Sequence, residues 1–285
     1  MSKQASQSHE NGFLLALPTM LWIGIFFVVP LLIVLVVSFL TRTSGGLPEL
    51  PFTIEHYERT LGVFSIILWR SIGLAALTTV ICLAIGYPLA FFISTRQNRL
   101  FQQICLFLVI LPFWTNFLIR TYAWRILLGE EGTVNSILMQ FGLVAEPVQL
   151  LNTPFAVLVG LVYGFLPFMV LPIFATVERF DFKFVDAAND LGANDVLTFL
   201  RVILPMTLPG VLAGAALVFI PSVGAFVTPD LLGGTKGLMI GNLINKQFGG
   251  SGNMALGSAM SVAMMVVVML SLVVYVFANR QERDS

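Results

Sequence analysis

Long apolar stretches alternate with short polar intervals along most of this chain. Six of the stretches reach the roughly 20 apolar residues that a membrane span requires. They are Phe13–Leu40, Ile66–Ser94, Leu100–Leu118 with an extension to Leu128, Pro154–Val177, Val202–Pro221 and Ala255–Ala278. The pattern predicts an all-α membrane protein with six transmembrane helices, a tail at residues 1–12, one transmembrane domain over 13–278 and a second tail at 279–285. The first run is too long for the apolar core of a secretory signal, and no small-residue cleavage pattern follows it. It is expected to remain as a spanning helix.

Between residues 223 and 253 the pattern changes, with Gly233, Gly234, Gly237, Gly241, Gly249, Gly250 and Gly252 breaking the apolar run. Leu238, Ile240, Leu243, Ile244 and Phe248 suit a short amphipathic helix lying on the outer surface.

One polar interval is more than a connector. Phe184, Ala187, Ala188 and Leu191 fall on one helical face. Gly192 follows where a helix C-cap needs a residue free to take positive φ. Asn194 is placed to cap a second helix that has Asp195 in its first turn. Val196, Phe199, Leu200 and Ile203 then form another apolar stripe. The interval reads as two short helices joined by a hinge, each with an apolar face to bury.

Composition agrees with the membrane reading. Of 285 residues, 57% are hydrophobic and only 11% charged, which excludes a typical soluble domain. The formal net charge is zero, so nothing global points to nucleic acid. Cys82 and Cys105 lie inside apolar runs as small hydrophobes, with neither metal-ligand spacing nor a disulfide framework.

Charge sets the orientation. Lys3, Arg96, Arg99, Arg179, Lys183, Arg201, Arg280 and Arg283 lie on one side of the predicted spans, against Arg42, Arg59, Lys236 and Lys246 on the other. The positive-inside rule therefore puts both termini and the Asp186–Pro205 interval in the cytoplasm. The acids lean outward, with Glu49, Glu55, Glu58, Glu130, Glu131, Glu146 and Asp230 on the opposite side. No G-x-x-x-x-G-K-[ST] occurs, and Gly233-Gly234-Thr235-Lys236 has the wrong spacing, so a P-loop is excluded. The chain is expected to bind no cofactor of its own. If transport is ATP-driven, a separate subunit must use the ATP and its Mg.

Ionisable side chains at membrane depth are costly and mark functional candidates. Arg70, beside Trp69, can snorkel to the interface. Arg120 and Arg125 sit in a run that mixes aromatics, hydroxyls and an amide after Pro112. Two readings stay open there: interfacial anchoring by Trp114, Tyr122 and Trp124, or a cavity wall with Thr115, Asn116 and Arg120 facing inward. If the cavity carries a cation, Arg120 and Arg125 need acidic partners, either Glu130 and Glu131 or groups on a partner subunit. Asp230, between Pro229 and Leu231, is either a capping residue or an exposed negative group at a cavity mouth. Pro30, Pro88, Pro112, Pro167, Pro172 and Pro221 recur inside apolar segments, where interrupted helices suit a domain that rocks around a cavity.

The Asp186–Pro205 spacing resembles the EAA loop of type I ABC-importer permeases, E-A-A-x-x-x-G, nine residues, then I-x-L-P. Asp186 stands at the Glu position, followed by Ala187, Ala188 and Gly192, and the closing positions are Val202, Leu204 and Pro205. Asp for Glu and Val for Ile are the departures. Leu111–Tyr122 (L-P-F-W-T-N-F-L-I-R-T-Y) is similar to the third-helix region of the PotB-type permeases of spermidine/putrescine importers. So are Gly160–Tyr163, Leu166–Val170 and Ile240–Asn242 before Gln247-Phe248.

The resemblance implies a MetI-like permease fold in the bacterial inner membrane, with no catalytic residues and no metal. It also implies a second permease of the PotC type, two copies of an ATPase docked at the loop, and a periplasmic binding protein that delivers a polyamine. The pathway residues expected on this reading are Trp114, Thr115, Asn116, Arg120, Tyr122 and Asp230. The same architecture serves other cargoes, such as an iron complex, thiamine, an amino-acid derivative or an opine. A secondary transporter would need a coupling-ion carboxylate in mid-membrane, and no predicted span contains Asp or Glu. An intramembrane enzyme lacks its chemistry here, since His9 and His56 both lie outside the spans.

Overall fold

The computed structural model describes residues 17–42, 48–249 and 252–281, the last four by backbone alone. The expected start of the first span at Phe13, the tail at 1–12, Gly250 and the end of the second tail lie outside the described residues. Among these residues five helices are long and apolar enough to cross a membrane. They are α1 (Leu17–Val37), α3 (Ser65–Ser94), α7 (Pro154–Glu178), α9 (Asp195–Val223) and α11 (Met254–Gln281, apolar to Phe277). Between them lie α2 (Glu55–Leu61), α4 (Arg99–Ile110), α5 (Phe117–Leu127), α6 (Thr133–Gln140), α8 (Lys183–Asp190) and α10 (Ile240–Phe248).

The expected third span does not run straight. Helix α4 tightens into a 3₁₀ turn at Leu111–Trp114, stops at Thr115-Asn116, and α5 leaves at 90°. Pro112 removes a backbone donor, and the Asn116 side chain accepts from Leu118 N–H at 2.8 Å, capping the new helix. The chain has a sixth span only if this bent pair counts as one. Elsewhere the prolines are absorbed, with Pro88, Pro167, Pro172, Pro209 and Pro221 inside continuous helices. Pro30 and Pro205 each follow a π-helical turn, at Gly24–Val28 and Phe199–Ile203. The wider turn accommodates the missing donor.

Contacts sort the chain into two units: residues up to Phe64 with Ile244–Ala263, and Ser65–Leu243 with residues from Met264 onward. The first contains a feature the apolar pattern did not predict, an antiparallel ribbon of β1 (Leu40–Arg42) and β2 (Pro48–Phe52), registered Leu40↔Phe52 and Thr41↔Glu49. It is tied to α2, where Tyr57 shares a 2.6 Å hydrogen bond with Ser38 and the His56 ring meets the Leu40 carbonyl at 3.1 Å. Three residues are too short to register as a strand by alternation.

The second unit is built on α3, α7 and α9. Cys82, Ala90 and Ile93 from α3, Met169, Ile173 and Val177 from α7, and Val211 and Val218 from α9 form one buried cluster. Cys82 is fully buried there, as expected of a small hydrophobe. Close approach depends on missing side chains: a Cβ at Gly214 would lie 2.8 Å from Met169 Sδ and 3.3 Å from its Cα, and one at Gly86 3.1 Å from Met169 Cγ. Small residues let membrane helices pack backbone to backbone.

The glycine-rich stretch is anchored rather than laid on the surface. Met239 and Ile240, at the entry to α10, are fully buried. The Ile240 N–H donates to Ser71 Oγ at 2.7 Å, and Arg70 Nη1 donates to the exposed Lys236 carbonyl at 2.9 Å, so Arg70 holds the loop at its solvent-facing edge. Ser71→Ala should leave the Ile240 N–H buried without an acceptor. The expected loss is about 1–3 kcal/mol, the cost of one unsatisfied buried donor. A lower denaturation midpoint of the purified subunit in detergent is the readout, and an unchanged midpoint would refute the anchor.

Candidate functional site

The Asp186–Pro205 interval folds as a pre-set hairpin. Helix α8 ends in a Schellman motif: the Ala193 N–H reaches the Ala188 carbonyl at 3.0 Å and the Gly192 N–H reaches Asn189 at 2.9 Å. Gly192 takes φ +84°, the left-handed value its position requires. Asn194 then caps α9, its side-chain oxygen accepting from Leu197 N–H at 2.8 Å. A further bond crosses the hinge, from Thr198 Oγ1 to Asn189 Oδ1 at 3.3 Å. Its two ends are nine residues apart on different helices, which no single-helix pattern reveals.

The expected second short helix is not separate, because α9 runs from Asp195 directly into the span. Asp186 and Ala187 are exposed, Ala188 is half-buried and Pro205 is exposed. Val202 and Leu204 are half-buried, and Leu204 packs against the core of the second unit. The apolar faces of the hairpin are covered only in part: Ile203 is buried and Phe199 packs on the core, while Leu191 is 89% exposed, Val196 67% and Phe184 50%. Phe180, Phe182 and Phe184 form an aromatic group at its base, and Phe182 meets Phe91 of α3 edge-on with centroids 6.5 Å apart. A cleft of about 500 Å³ opens beside it, lined by Thr176, Arg179, Asp181, Phe184, Met206 and Pro209.

The passage from hairpin to span goes through the π turn at Phe199–Ile203. Buried Tyr87, on α3, meets this passage twice. Its ring lies edge-on to Phe199, with centroids 5.5 Å apart and planes at 89°. Its hydroxyl lies 2.9 Å from Thr207 Oγ1, whose own hydrogen reaches back to the Ile203 carbonyl at 2.9 Å.

The pathway residues do not converge on one point. Trp114 is 76% exposed at the break, edge-on to Phe107 at 5.7 Å. Thr115 Oγ1 donates to the Pro112 carbonyl at 2.7 Å, so Thr115 and Asn116 both serve the break itself. Arg120 turns inward among aromatic faces, with Cζ 4.8 Å from the Phe113 ring centre, 5.7 Å from Phe117 and 5.9 Å from Tyr163. Of the two pairings left open for Arg120, the one with Glu130 or Glu131 is not made among the described residues. Those acids line a separate cavity of about 410 Å³ with Gln149, Leu151 and Asn152, and Arg120 Nε and Nη1 are buried with no hydrogen-bond partner among the described residues. Tyr163, 43 residues further on, could not be tied to Arg120 by local pattern. Tyr122 is half-exposed. Asp230 sits exposed in a π turn, Pro229–Gly233, that packs against α5, and it makes no capping hydrogen bond. A cavity of about 200 Å³, walled by Phe117, Phe165, Pro221, the unwound residues Gly224–Phe226 and the helical Val227 and Thr228, lies where the start of α5 meets the end of α9.

Comparison with known proteins accounts for this combination. A family model described as a binding-protein-dependent transport system inner membrane component matches residues 83–284. The chain is 44% identical over 260 residues to the spermidine/putrescine transport system permease protein PotB of Haemophilus influenzae, covering 91% of each chain. It is 40% identical over 260 residues to the Escherichia coli protein of the same name, covering 91% of this chain and 94% of that one. In fold, it is similar to a chain of a bacterial alginate ABC transporter solved in complex with an alginate pentasaccharide-bound periplasmic protein. The TM-score there is 0.72 at 16% identity, over 99% of this chain and 96% of that one. With well over half of its length matched by the family model, the chain belongs to the inner-membrane components of binding-protein-dependent transport systems.

Proposed function

We propose that the chain is the permease subunit of an ATP-driven importer that moves spermidine or putrescine from a periplasmic binding protein to the cytoplasm by alternating access. The observation that carries the cargo is identity of 44% and 40% to spermidine/putrescine permeases over 91% of the chain. The machine itself is supported by the hairpin. Its bare apolar surface, Leu191 and Val196 at the tip and Phe184 at the base, fits a groove on a separate ATPase. Asp186, Ala187, Ala188, Gly192, Val202, Leu204 and Pro205 then form the element that passes ATPase closure to the bundle, from the side where the charge count puts ATP. A second permease of the PotC type completes the pathway.

Trp114, Thr115, Asn116, Arg120, Tyr122 and Asp230 lie on or beside interrupted helices, where transporter sites are built because unwound backbone is tolerated only against protein or water. Aromatic faces suit ammonium groups, and Asp230 adds a negative charge.

One observation favours a different cargo within the same architecture. Arg120 is a fixed cation with two buried N–H groups unused, and it would repel a polycation while welcoming a carboxylate. ATPase activity of the reconstituted complex, stimulated by binding protein loaded with each solute in turn, separates the two. Spermidine or putrescine should raise hydrolysis several-fold over unloaded binding protein. No response to either, with a response to a carboxylate-bearing solute such as an opine, would overturn the polyamine reading.

A further inference from the structure

We propose that Tyr87 and Thr207 brace the π turn at Phe199–Ile203 as positioning residues for coupling, so that a push on the hairpin moves α9 as a body. This rests on the hairpin's proposed role as the ATPase contact.

A π turn is the most yielding element that could lie on this route. Its hydrogen bonds skip an extra residue, and here Pro205, two residues past its end, has no N–H of its own. A force entering at Asp195 would be absorbed there as bending if the turn were free. It is not free. Tyr87 reaches across from α3 and holds the turn at both ends, its ring against Phe199 at the entry and its hydroxyl on Thr207 beyond the exit. Thr207 Oγ1 has one hydrogen, and the nearby carbonyl of Ile203 accepts it at 2.9 Å. With that hydrogen on the Ile203 carbonyl, Tyr87 donates to Thr207 Oγ1, and the chain Tyr87 O–H to Thr207 O–H to Ile203 C=O ends on the last residue of the π turn. Tyr87 is 7% exposed and Thr207 fully buried, so water does not compete for these bonds. Tyr87 also belongs to the buried cluster shared by α3, α7 and α9. The brace thus stands on the buried core of the second unit.

The test uses the whole complex, with second permease, ATPase and binding protein, in proteoliposomes supplied with spermidine. The readout is solute moved per ATP hydrolysed. Tyr87→Phe keeps the ring contact and removes one oxygen; Thr207→Val removes the acceptor; Thr207→Ser keeps it. We expect the first two each to lower the ratio about fivefold, the equilibrium value of one buried hydrogen bond worth ~1 kcal/mol. Thr207→Ser should stay near wild type. The double variant Tyr87→Phe/Thr207→Val should be no worse than either single change, because both remove the same bond.

A fall in complex yield with an unchanged ratio would show a purely structural pair and overturn the proposal. Additive losses in the double variant would do the same. If the wild type moves no spermidine, the polyamine reading fails, and the variants are then compared with any solute that the wild type does move. If no loaded binding protein stimulates the wild-type ATPase, the ATPase contact itself fails.

Discussion

Gly192→Val should abolish uptake while leaving the subunit inserted in the membrane. At φ +84° an L-residue is strained by about 1–2 kcal/mol, and a β-branched one by more. To relieve that strain the chain must give up the Schellman bonds at Ala193 and Gly192, each contributing roughly 1 kcal/mol. Whether the chain bears the strain or gives up the bonds, the cost of about 1–2 kcal/mol shifts the population away from the docked hairpin by roughly five- to thirtyfold. Co-purification of the ATPase with the variant, and uptake by proteoliposomes, should both fall. Gly192→Asn is the informative partner, because asparagine tolerates the left-handed region and should retain most activity. If the asparagine variant proved as damaging as the valine one, side-chain bulk at the docking face would be the cause and the conformational argument would be wrong.

Gly210→Val acts by a different route and should prevent a folded subunit from accumulating at all. A Cβ at this position meets the Thr176 side chain and comes within 2.8 Å of the Pro172 carbonyl oxygen. The side chain could rotate away, but the carbonyl belongs to the α7 backbone, so α7 and α9 must separate. Overpacking a tight core costs about 1–3 kcal/mol, and here separation also loses the contacts that hold membrane helices together. The amount of monodisperse protein extracted in mild detergent measures the effect. Gly73→Ala on α3, which faces open space, is the matched control and should be neutral.

The contrast between these two glycines also shows what could be read before any fold was known. Gly192 was legible because everything that fixes it lies within a few residues: the apolar face of α8, Asn194 as the next cap, Asp195 in the first turn. The spans were legible because membrane depth sets their length. Contacts made across the bundle left no local trace. Tyr87 and Thr207 are 120 residues apart, and each looks like an ordinary semi-polar residue in an apolar run. The break at Thr115-Asn116 was hidden for another reason. Apolar residues continue on both sides of it, so hydropathy ran straight through, although Pro112 and Asn116 together spell the end of one helix and the cap of the next. Arg120 was recognised as costly, but its aromatic company comes partly from Tyr163 on α7. A search for carboxylates could not have found it.

The uncovered tip of the hairpin has a further consequence for the cell. On the proposed docking, a permease made in excess of its ATPase would leave Leu191 and Val196 at the tip, and Phe184 at the base, bare on the side where chaperones and proteases patrol. Those are the features by which quality control recognises an orphan. On that docking, the same surface would also report the absence of the ATPase, and the number of permeases surviving in the membrane should follow the supply of the subunit that covers them.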